Sequence, residues 1–422
     1  MDFRREAHLF VGVDSHKRFH VSVMVDSYGE PVGKPIRFDN RATAYPHWVQ
    51  QVQRQAKGMR VVFGLEDVHG LGRGLAQYLM SAGHTVKFAN AYLTKSERDS
   101  VNKTDRQDAL AIARVTAKHI LRLPDANLDP LQWTLLSTVN YRKGLVSEQV
   151  RVKNRLHYLL MQAWPGWESF FSEPFDGKTA LAFWEMYPSA ASMADVTLAE
   201  LTAFLRGQSH FALGQPLAET ILSSQAEGPP PLPYQRERDE LIRQSIRQVR
   251  TLQQQLAEVR AHLARLVADT DHQALTEIPG IDTVMSAELI ALVGDVRRFP
   301  HVDKFLAYTG IAPVTLGSGG HESRLKSMFG RRDLSALLHR IASTQLVVHK
   351  KTGVPRNPQA KAYYDKHLGE QAALPHAKRD RKLMKKALLS LMRQQAIRFY
   401  KLMKAQKLEA EARRAQERAQ PA

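Results

Sequence analysis

Short apolar runs alternate with amphipathic segments along the N-terminal part of the chain. Runs rich in β-branched and aromatic residues predict strands, and apolar residues spaced three or four apart predict helices. The predicted order is strands at Leu9–Asp14, His20–Asp26 and Ile36–Asn40, a helix at Thr43–Ala56, a strand at Arg60–Glu66, a helix at His69–Ala82, a strand at Thr85–Asn90 and a helix at Thr104–Lys118. The pattern therefore predicts an α/β domain over residues 1–125.

The middle of the chain has a helical pattern. Apolar residues share one face of Leu145–Leu160, and a heptad-like seam recurs at Ile242, Val249, Leu252, Leu256, Val259, Leu263 and Leu266. Such a seam is typical of a coiled coil that joins two copies, and an intramolecular helix pair is an equally good interpretation. We expect a helical, coiled-coil dimerisation domain over residues 126–270, with a proline-rich break at Pro229–Pro233.

The C-terminal part is also predicted to be mostly helical. Leu275–Val293 has the pattern of a helix-hairpin-helix with a Pro279-Gly280-Ile281 turn, whose amides suit a phosphate. An ordinary connection between helices is the alternative. From Lys378 onward, helical spacing predicts an inward apolar face of Met384, Leu388, Met392, Ala396, Phe399 and Met403, and an outward basic face. We expect one domain over 271–364 and a basic helical extension over 365–422.

The charge changes the picture more than the composition does. The 422 residues carry a formal net charge of +18, which points to a polyanionic partner and above all to nucleic acid. There is no cysteine, which excludes disulfides and thiolate metal sites. No apolar run reaches the roughly 18 residues that cross a bilayer. These features predict a cytoplasmic protein without a membrane partner, and a nucleic-acid partner would associate it with the nucleoid.

Four carboxylates lie where the predicted elements place a metal site. Three strands followed by helix, strand, helix, strand and helix is the order of a ribonuclease-H-like fold, a mixed sheet flanked by helices. Asp14 and Glu66 end two of the strands, and Asp105 and Asp108 lie three apart on one helix. Carboxylate oxygens suit Mg²⁺, with Mn²⁺ as the alternative ion. Isolated carboxylates at strand ends are also common, and Asp26, Asp67 and Asp99 lie nearby.

Several motifs resemble those of DEDD insertion-sequence transposases, the insertion-sequence 110 family. In the N-terminal half they are GVDSHK (Gly12–Lys17), GLE (Gly64–Glu66), KTDRQDA (Lys103–Ala109) and KNRLHYLL (Lys153–Leu160). In the C-terminal half they are PGID (Pro279–Asp282), GD-x-x-RF (Gly294–Phe299), YTGIAPV (Tyr308–Val314) and GSGG (Gly317–Gly320). The resemblance spans about Val11 to Leu346. The region 164–233 and the tail after Tyr364 are longer than in a compact member.

The resemblance implies a RuvC-like domain, similar to a Holliday-junction resolvase, and a C-terminal transposase domain with a serine nucleophile. It implies that Asp14, Glu66, Asp105 and Asp108 bind Mg²⁺. It also implies a structured non-coding RNA, a bridge RNA, that guides the protein to double-stranded target and donor DNA. The active complex would be a homo-oligomer, a dimer or a tetramer. Cations and one glycine beside the motifs are candidate nucleic-acid contacts: Lys17, Lys103, Arg106, Lys153, Arg155, Gly280, Arg324, Lys326, Arg331 and Arg332.

Ser318 occupies the position of the family's catalytic serine after YTGIAPV. Glycines on both sides would give its hydroxyl an exposed, flexible turn that a DNA backbone can approach closely. By itself a Gly-Ser-Gly-Gly segment is an ordinary loop. The interpretation that the resemblance favours is a recombinase that cuts and rejoins DNA strands. Two alternatives remain open: a metal-dependent hydrolytic nuclease of the resolvase type, in which Ser318 is a turn residue, and a non-catalytic nucleic-acid-binding scaffold.

Overall fold

A computed structural model describes residues 7–66, 70–89, 91–97, 104–121, 123, 125–126, 129–227, 233–318, 321–326 and 330–419, without the side chains of 91–92, 313–326 and 418–419. The strands are β1 (His8–Ser15), β2 (Phe19–Val25), β3 (Ile36–Asp39), β4 (Arg60–Leu65), β5 (Thr85–Phe88), β6 (Pro313–Ser318) and β7 (His321–Lys326). The helices are α1 (Tyr45–Ala56), α2 (Arg73–Ser81), α3 (Ala91–Ser96), α4 (Asp105–His119), α5 (Pro130–Ala163), α6 (Lys178–Met186), α7 (Leu198–Ser209), α8 (Gln215–Ala226), α9 (Gln235–Ala268), α10 (Thr283–Val293), α11 (Val302–Thr309), α12 (Arg332–Leu346), α13 (Pro358–Leu368) and α14 (Arg381–Ala419).

The first five strands form one mixed sheet in the order β3-β2-β1-β4-β5. Strands β1, β2 and β3 pair antiparallel, whereas β1 pairs with β4 and β4 with β5 in parallel. The predicted order of strands and helices is confirmed. Helix α3 was not predicted, and α2 begins at Arg73 rather than at His69, which lies outside the described residues.

The two faces of the sheet bury alternate residues of its strands, as the strand period of two requires. On one face Val11 and Phe63 of the sheet share a core with Trp48 of α1 and with residues of α2. On the other face Phe10 and Val62 pack with Ala113 of α4. Thr104 caps α4 by accepting a hydrogen bond from the Gln107 amide, as the sequence predicted.

The chain divides into two compact units, one made of 1–136 with 266–422 and one of Ser137–Arg265. The second unit contains most of α5 and α9 together with α6, α7 and α8 of the long 164–233 region. Its core is aromatic, with Trp164, Trp167, Phe183 and Trp184 fully buried. The finer division into four domains stays a prediction, and most of Pro229–Pro233 lies outside the described residues.

The N-terminal half of the α9 seam packs against helix α5 of the same chain. Ile242, Val249 and Leu252 are buried in the same core as Val152 and Leu156 of α5. Of the two interpretations left open by the sequence, the intramolecular helix pair is the one found for these residues. No coiled coil between two copies follows from them.

In the C-terminal part the structure corrects one expectation. Ser318 was expected in a flexible turn, but Gly317 and Ser318 belong to β6, which pairs antiparallel with β7. A Gly-Gly pair between two strands favours a β-hairpin, and the two residues between β6 and β7, Gly319 and Gly320, lie outside the described residues. Helix α14, which lies within the expected basic extension of residues 365–422, packs against α11, α12 and α13. Its predicted apolar face is confirmed at Met392, Phe399 and Met403, which are buried.

Within the described parts of the chain, no helix has the length and apolarity that a membrane span requires.

Candidate active site

Three side chains meet at the end of β1. Nε2 of His16 lies 3.1 Å from Oδ2 of Asp14 and 3.4 Å from Oδ1 of Asp105. One possible ligand atom from each of the three residues lies within 4.8 Å of the others. Two carboxylates and one imidazole at this spacing could hold a divalent cation between them.

Two glycines explain why helix α4 can bring Asp105 to the sheet. A Cβ atom on Gly12 would lie 2.2 Å from the carbonyl oxygen of Ala109, and one on Gly64 would lie 1.9 Å from Oγ1 of Thr116. Both distances are far below van der Waals contact, so only glycine lets α4 pack this closely against β1 and β4. These are the glycines of the GVDSHK and GLE motifs, and their structural role is to place the acidic first turn of α4 beside Asp14.

Asp14 has a perturbed environment. Burial raises the pKa of its carboxyl group, the neighbouring His16 lowers it, and the negative charges of Asp108 and Asp105 raise it further. The net direction is upward, because several acidic groups share a small, partly dehydrated volume. A bound cation would relieve this repulsion, which is the electrostatic situation expected of a metal centre.

The other two predicted carboxylates lie at the same end of the sheet. Val13 of β1 pairs with Leu65 of β4, so Asp14 and Glu66 follow at one edge of two parallel strands. The hydroxyl of Thr94 on α3 donates to Oε2 of Glu66 at 3.2 Å. Asp108 is buried in the first turn of α4, and its charge acts on Asp14. The structure thus joins Asp14 closely with Asp105 and brings the charge of Asp108 to act on Asp14, while Glu66 follows the neighbouring strand at the same edge.

His16 was not among the predicted site residues. Its spacing of two from Asp14 at the end of a strand is the signal that could have found it, because side chains at i and i+2 point to the same side. The turn that carries it is firmly held. The side-chain amide of Asn40 donates to the carbonyl oxygens of His16 and Lys17, at 3.2 and 3.3 Å.

A second structured region surrounds the hairpin that carries Ser318. The backbones of Gly310 and Gly330 touch where the chain enters and leaves the hairpin, since a Cβ atom on Gly330 would lie 2.4 Å from Cα of Gly310. The amide of Arg331 donates to the carbonyl oxygen of Tyr308 at 2.8 Å. Nε of Arg393 on α14 donates to the carbonyl oxygen of Ile311 at 2.7 Å. The base of the hairpin is therefore fixed on both sides.

The side chain of Arg331 makes several contacts at the base of the hairpin. Its guanidinium pairs with Asp333 at 2.7 Å and also donates to the hydroxyl of Tyr308 and the carbonyl oxygen of Leu292. These partners raise its pKa although burial opposes the charge. The predicted phosphate contact of Arg331 stays a prediction, and a phosphate would have to compete with these bonds.

The other motifs of the C-terminal half build the platform under the hairpin. Tyr308 donates from its hydroxyl to the carbonyl oxygen of Leu292 at 3.1 Å, and Gly310 ends α11 with φ +73°. The guanidinium of Arg298 lies 4.7 Å from the ring centre of Phe299 and 4.4 Å from that of Tyr308. The motif residues thus support the segment that contains Ser318.

The candidate nucleic-acid contacts have different surroundings. Lys17, Arg106, Arg155 and Arg332 are exposed. Lys153 pairs with Asp176 at 2.5 Å, so it already has a partner. Lys103 lies outside the described residues, as do the side chains of Ser318, Arg324 and Lys326.

Gly280 has a packing reason for being glycine. It adopts φ +85°, and a Cβ atom there would lie 2.7 Å from Cγ of Gln345. The side chain of Asp282 caps the following helix α10 by accepting from the Met285 amide at 2.8 Å. A phosphate at this helix end would meet an acidic side chain, so the predicted contact at Gly280 gains no support from this geometry.

Two family models match the chain. Residues 11–165 match the DEDD transposase model of the IS110 type, and residues 272–365 match the model described as transposase IS116/IS110/IS902 family. The chain belongs to this transposase family. The first match contains all four predicted carboxylates, and the second contains the Ser318 hairpin.

Relatives extend the likeness outside the two matched regions. The chain is 25% identical over 420 residues to a 44.8 kDa protein of insertion element IS116 from Streptomyces clavuligerus, with 96% of each chain covered. It is 27% identical over 220 residues to a 43.6 kDa protein of insertion element IS110 from Streptomyces coelicolor, covering 51% of this chain and 54% of that one. The protein is therefore a DNA transposase, an enzyme of insertion-sequence transposition.

Proposed function

We propose that this transposase cuts and rejoins DNA through a covalent bond between Ser318 and a DNA phosphate, at a site completed by a divalent cation and directed by a structured guide RNA. The residues that would hold the cation are Asp14, Glu66, Asp105 and Asp108. The observation that carries this proposal is the meeting of Asp14 and Asp105 at the end of β1, with the charge of Asp108 acting on Asp14 and with Glu66 at the end of the neighbouring parallel strand.

The donor set fits a divalent cation. Burial and the acidic neighbours raise the pKa of the Asp14 carboxyl group, so a positive charge beside it would be favourable. A bound ion supplies neutralisation of phosphate charge and polarisation of the scissile bond. The strand order β3-β2-β1-β4-β5 with acidic residues at one edge supports a RuvC-like, ribonuclease-H-like domain as the host of this site.

The hairpin supports a role for Ser318 as the nucleophile. Pro313 pairs with Lys326 at the fixed base, and Ser318 pairs with His321 at the other end. Six residues of extended strand place Ser318 about 17 Å from the base, at roughly 3.4 Å per residue. Ser318 is thus the last residue of β6, next to Gly317 and Gly319 in the sequence, and the absence of side chains on these two neighbours would let a bulky DNA backbone approach its hydroxyl.

The chemistry of the proposed step conserves phosphodiester bonds. Attack by Oγ of Ser318 on phosphorus forms an Oγ–P bond while the P–O bond to the leaving DNA oxygen breaks. The serine proton passes to a base, and the leaving oxygen takes up a proton. Attack by the hydroxyl of another strand reverses these changes and frees the serine, so no ATP is needed.

Replacing the carboxylates tests the cation site. Asp14→Asn, Asp105→Asn and Asp108→Asn keep side-chain shape and remove one negative charge each, so recombination should fall to background while folding and DNA binding persist. Asp26→Asn is the matched control, because Asp26 follows β2 beyond the Phe10–Val25 pair, at the opposite end of the β1–β2 pairing from Asp14. Near-normal recombination by Asp14→Asn and Asp105→Asn would contradict the assignment.

Guidance by RNA rests on the family resemblance and on the basic charge of +18. Protein freed of nucleic acid should neither cut nor join specific DNA until the cognate RNA is added, and changed pairing loops should redirect it. Sequence-specific recombination by the RNA-free protein would refute this part. Exchange of two strand pairs also requires several serines, so we propose an active dimer or tetramer.

A hydrolytic nuclease is the second candidate function. The observation that favours it is that the first sheet and α4 supply all four of the proposed carboxylate ligands. A nuclease would release free DNA ends and would keep its activity in Ser318→Ala. The recombinase would lose cleavage in that variant.

A further inference from the structure

The imidazole of His16 lies between the two carboxylates that would hold the cation. Its Nε2 is 3.1 Å from Oδ2 of Asp14 and 3.4 Å from Oδ1 of Asp105. The proposed function assigns the cation to four carboxylates and does not count this nitrogen as a ligand. Yet it is one of the three potential ligand atoms that lie within 4.8 Å of one another.

The position of His16 is held by its surroundings. Its amide donates to the carbonyl oxygen of Phe19 at 3.1 Å, and lies 3.3 Å from Nδ1 of the buried His20. Its carbonyl oxygen accepts from Asn40, whose own side-chain oxygen accepts from the hydroxyl of Tyr45. These bonds fix the backbone of the turn, and therefore the Cα atom from which the His16 side chain extends.

Aromatic contacts restrict the ring itself. The ring centre of His16 lies 4.9 Å from that of Phe19. The guanidinium of Arg37 covers the Phe19 ring at 3.8 Å from its centre. The His16 side chain is only 35% exposed. An imidazole packed in this way is pre-organised toward the carboxylates rather than free to rotate into solvent.

We propose that Nε2 of His16 is a direct ligand of the divalent cation held by Asp14 and Asp105, and that it makes the site prefer Mn²⁺ to Mg²⁺. This inference rests on the proposed cation site. Mg²⁺ takes oxygen ligands almost exclusively and keeps several waters, whereas transition-metal ions accept imidazole nitrogen readily. One nitrogen among carboxylate oxygens therefore shifts selectivity toward the transition metal.

The alternative role for His16 is that of a cationic partner of the two carboxylates. In that role a bound metal would displace the ring, and removal of the ring would help metal binding. As a ligand, the ring adds a bond to the metal, and its removal weakens binding. The two roles thus predict opposite changes in Mn²⁺ affinity.

The test is electron spin-echo spectroscopy of Mn²⁺ bound to the full-length protein. The wild-type protein should show nitrogen coupling to Mn²⁺, and labelling of histidine with ¹⁵N should change that coupling. In His16→Gln the coupling should vanish and Mn²⁺ should bind at least about tenfold more weakly, with a smaller change for Mg²⁺. His339→Gln, at an exposed site on α12, is the matched control and should leave both unchanged.

The outcomes separate this inference from the proposed cation site. Mn²⁺ that binds the wild-type protein, is lost in Asp105→Asn and shows no histidine coupling would overturn the His16 assignment alone. Tighter Mn²⁺ binding by His16→Gln would overturn it as well. Failure of the wild-type protein to bind Mn²⁺ or Mg²⁺ at all would contradict the cation site itself. The labelled wild-type measurement decides the matter even if His16→Gln folds poorly.

Discussion

A Cβ atom on Gly12 would lie 2.2 Å from the amide nitrogen of Ala113, so strand β1 and helix α4 pack backbone against backbone. Asp14 is two residues beyond Gly12, and Asp105 begins α4. Their approach depends on this contact, because a wider separation of β1 and α4 would carry the two carboxylates apart.

Gly12→Ala should therefore damage the site without touching a carboxylate. The added methyl group would meet backbone atoms of Ala109 and Ala113 on α4 and cannot be accommodated by rotation of a side chain, so we expect a loss of about 1–3 kcal/mol in stability. Divalent-cation binding should weaken with it. Gly144→Ala, within α5 and with open space around it, should be neutral or slightly stabilising in a denaturant titration. Equal stability of Gly12→Ala and the wild-type protein would show that α4 can move without cost.

Arg331 should act through the position of the hairpin. Arg331→Gln breaks the pair with Asp333 and the bonds to Tyr308 and Leu292, at a loss of about 1–2 kcal/mol for partly exposed groups. Covalent capture of DNA should fall with it. Arg332→Gln, exposed at the neighbouring position, is the control for stability. If Arg331→Gln keeps full stability and loses only DNA affinity, Arg331 is a phosphate contact rather than an anchor of the hairpin.

The outward face of α14 should bind phosphates. Arg381, Lys382, Lys385 and Lys386 are exposed at its N-terminal end, while the opposite face packs inward. Lys382→Gln with Lys385→Gln should weaken DNA or RNA binding, and should reduce the slope of log affinity against log salt by up to about 0.9 for each lysine that contacts a duplex phosphate. The double variant Lys34→Gln with Lys57→Gln, two exposed lysines near the first sheet, is the matched control. An unchanged slope would exclude this face as a phosphate contact.

His272 should make the protein less stable in weak acid. Burial lowers the pKa of its ring below the ordinary value near 6.5, although the hydrogen bond with Gln406 opposes the shift. Between the two pKa values, the ring is protonated in the unfolded chain but neutral in the folded chain. The contribution of His272 to the free energy of unfolding is therefore complete above about pH 6.5 and is lost as the pH falls toward the lowered pKa.

The measurement is the urea midpoint across that pH window. His272→Asn should show a weaker dependence on pH than the wild-type protein, whatever its absolute stability. His339→Asn, at an exposed position, should keep the wild-type dependence. If the urea midpoints of the wild-type protein and His272→Asn depend on pH in the same way, His272 is not the cause of the lower stability in weak acid.

The order of elements in the first sheet could be predicted because alternation of apolar residues and a clear cap at Thr104 mark strands and a helix locally. The hairpin of β6 and β7 was missed because the Gly-Ser-Gly-Gly segment was interpreted as a flexible loop, although paired glycines also favour a tight hairpin. The partner of the α9 seam could not be predicted, since apolar spacing shows that Leu252 is buried but not what covers it.

The candidate site shows the same limit. The four carboxylates could be found because their residue type and their places at strand and helix ends suggest metal chemistry. His16 was missed because its spacing of two from Asp14 is shared by many residues without a functional role, and its relation to Asp105 depends on tertiary packing. The contacts of Arg331 likewise join residues that are far apart in the sequence.

The most direct test of the account is covalent trapping of the protein on a suicide DNA substrate in the presence of guide RNA and divalent cation. The wild-type protein should form an adduct that peptide mass analysis places on Ser318. Ser318→Ala should form none while it still binds DNA, and Ser323→Ala should behave like the wild-type protein. An adduct that persists in Ser318→Ala, or that maps to another residue, would contradict the serine mechanism.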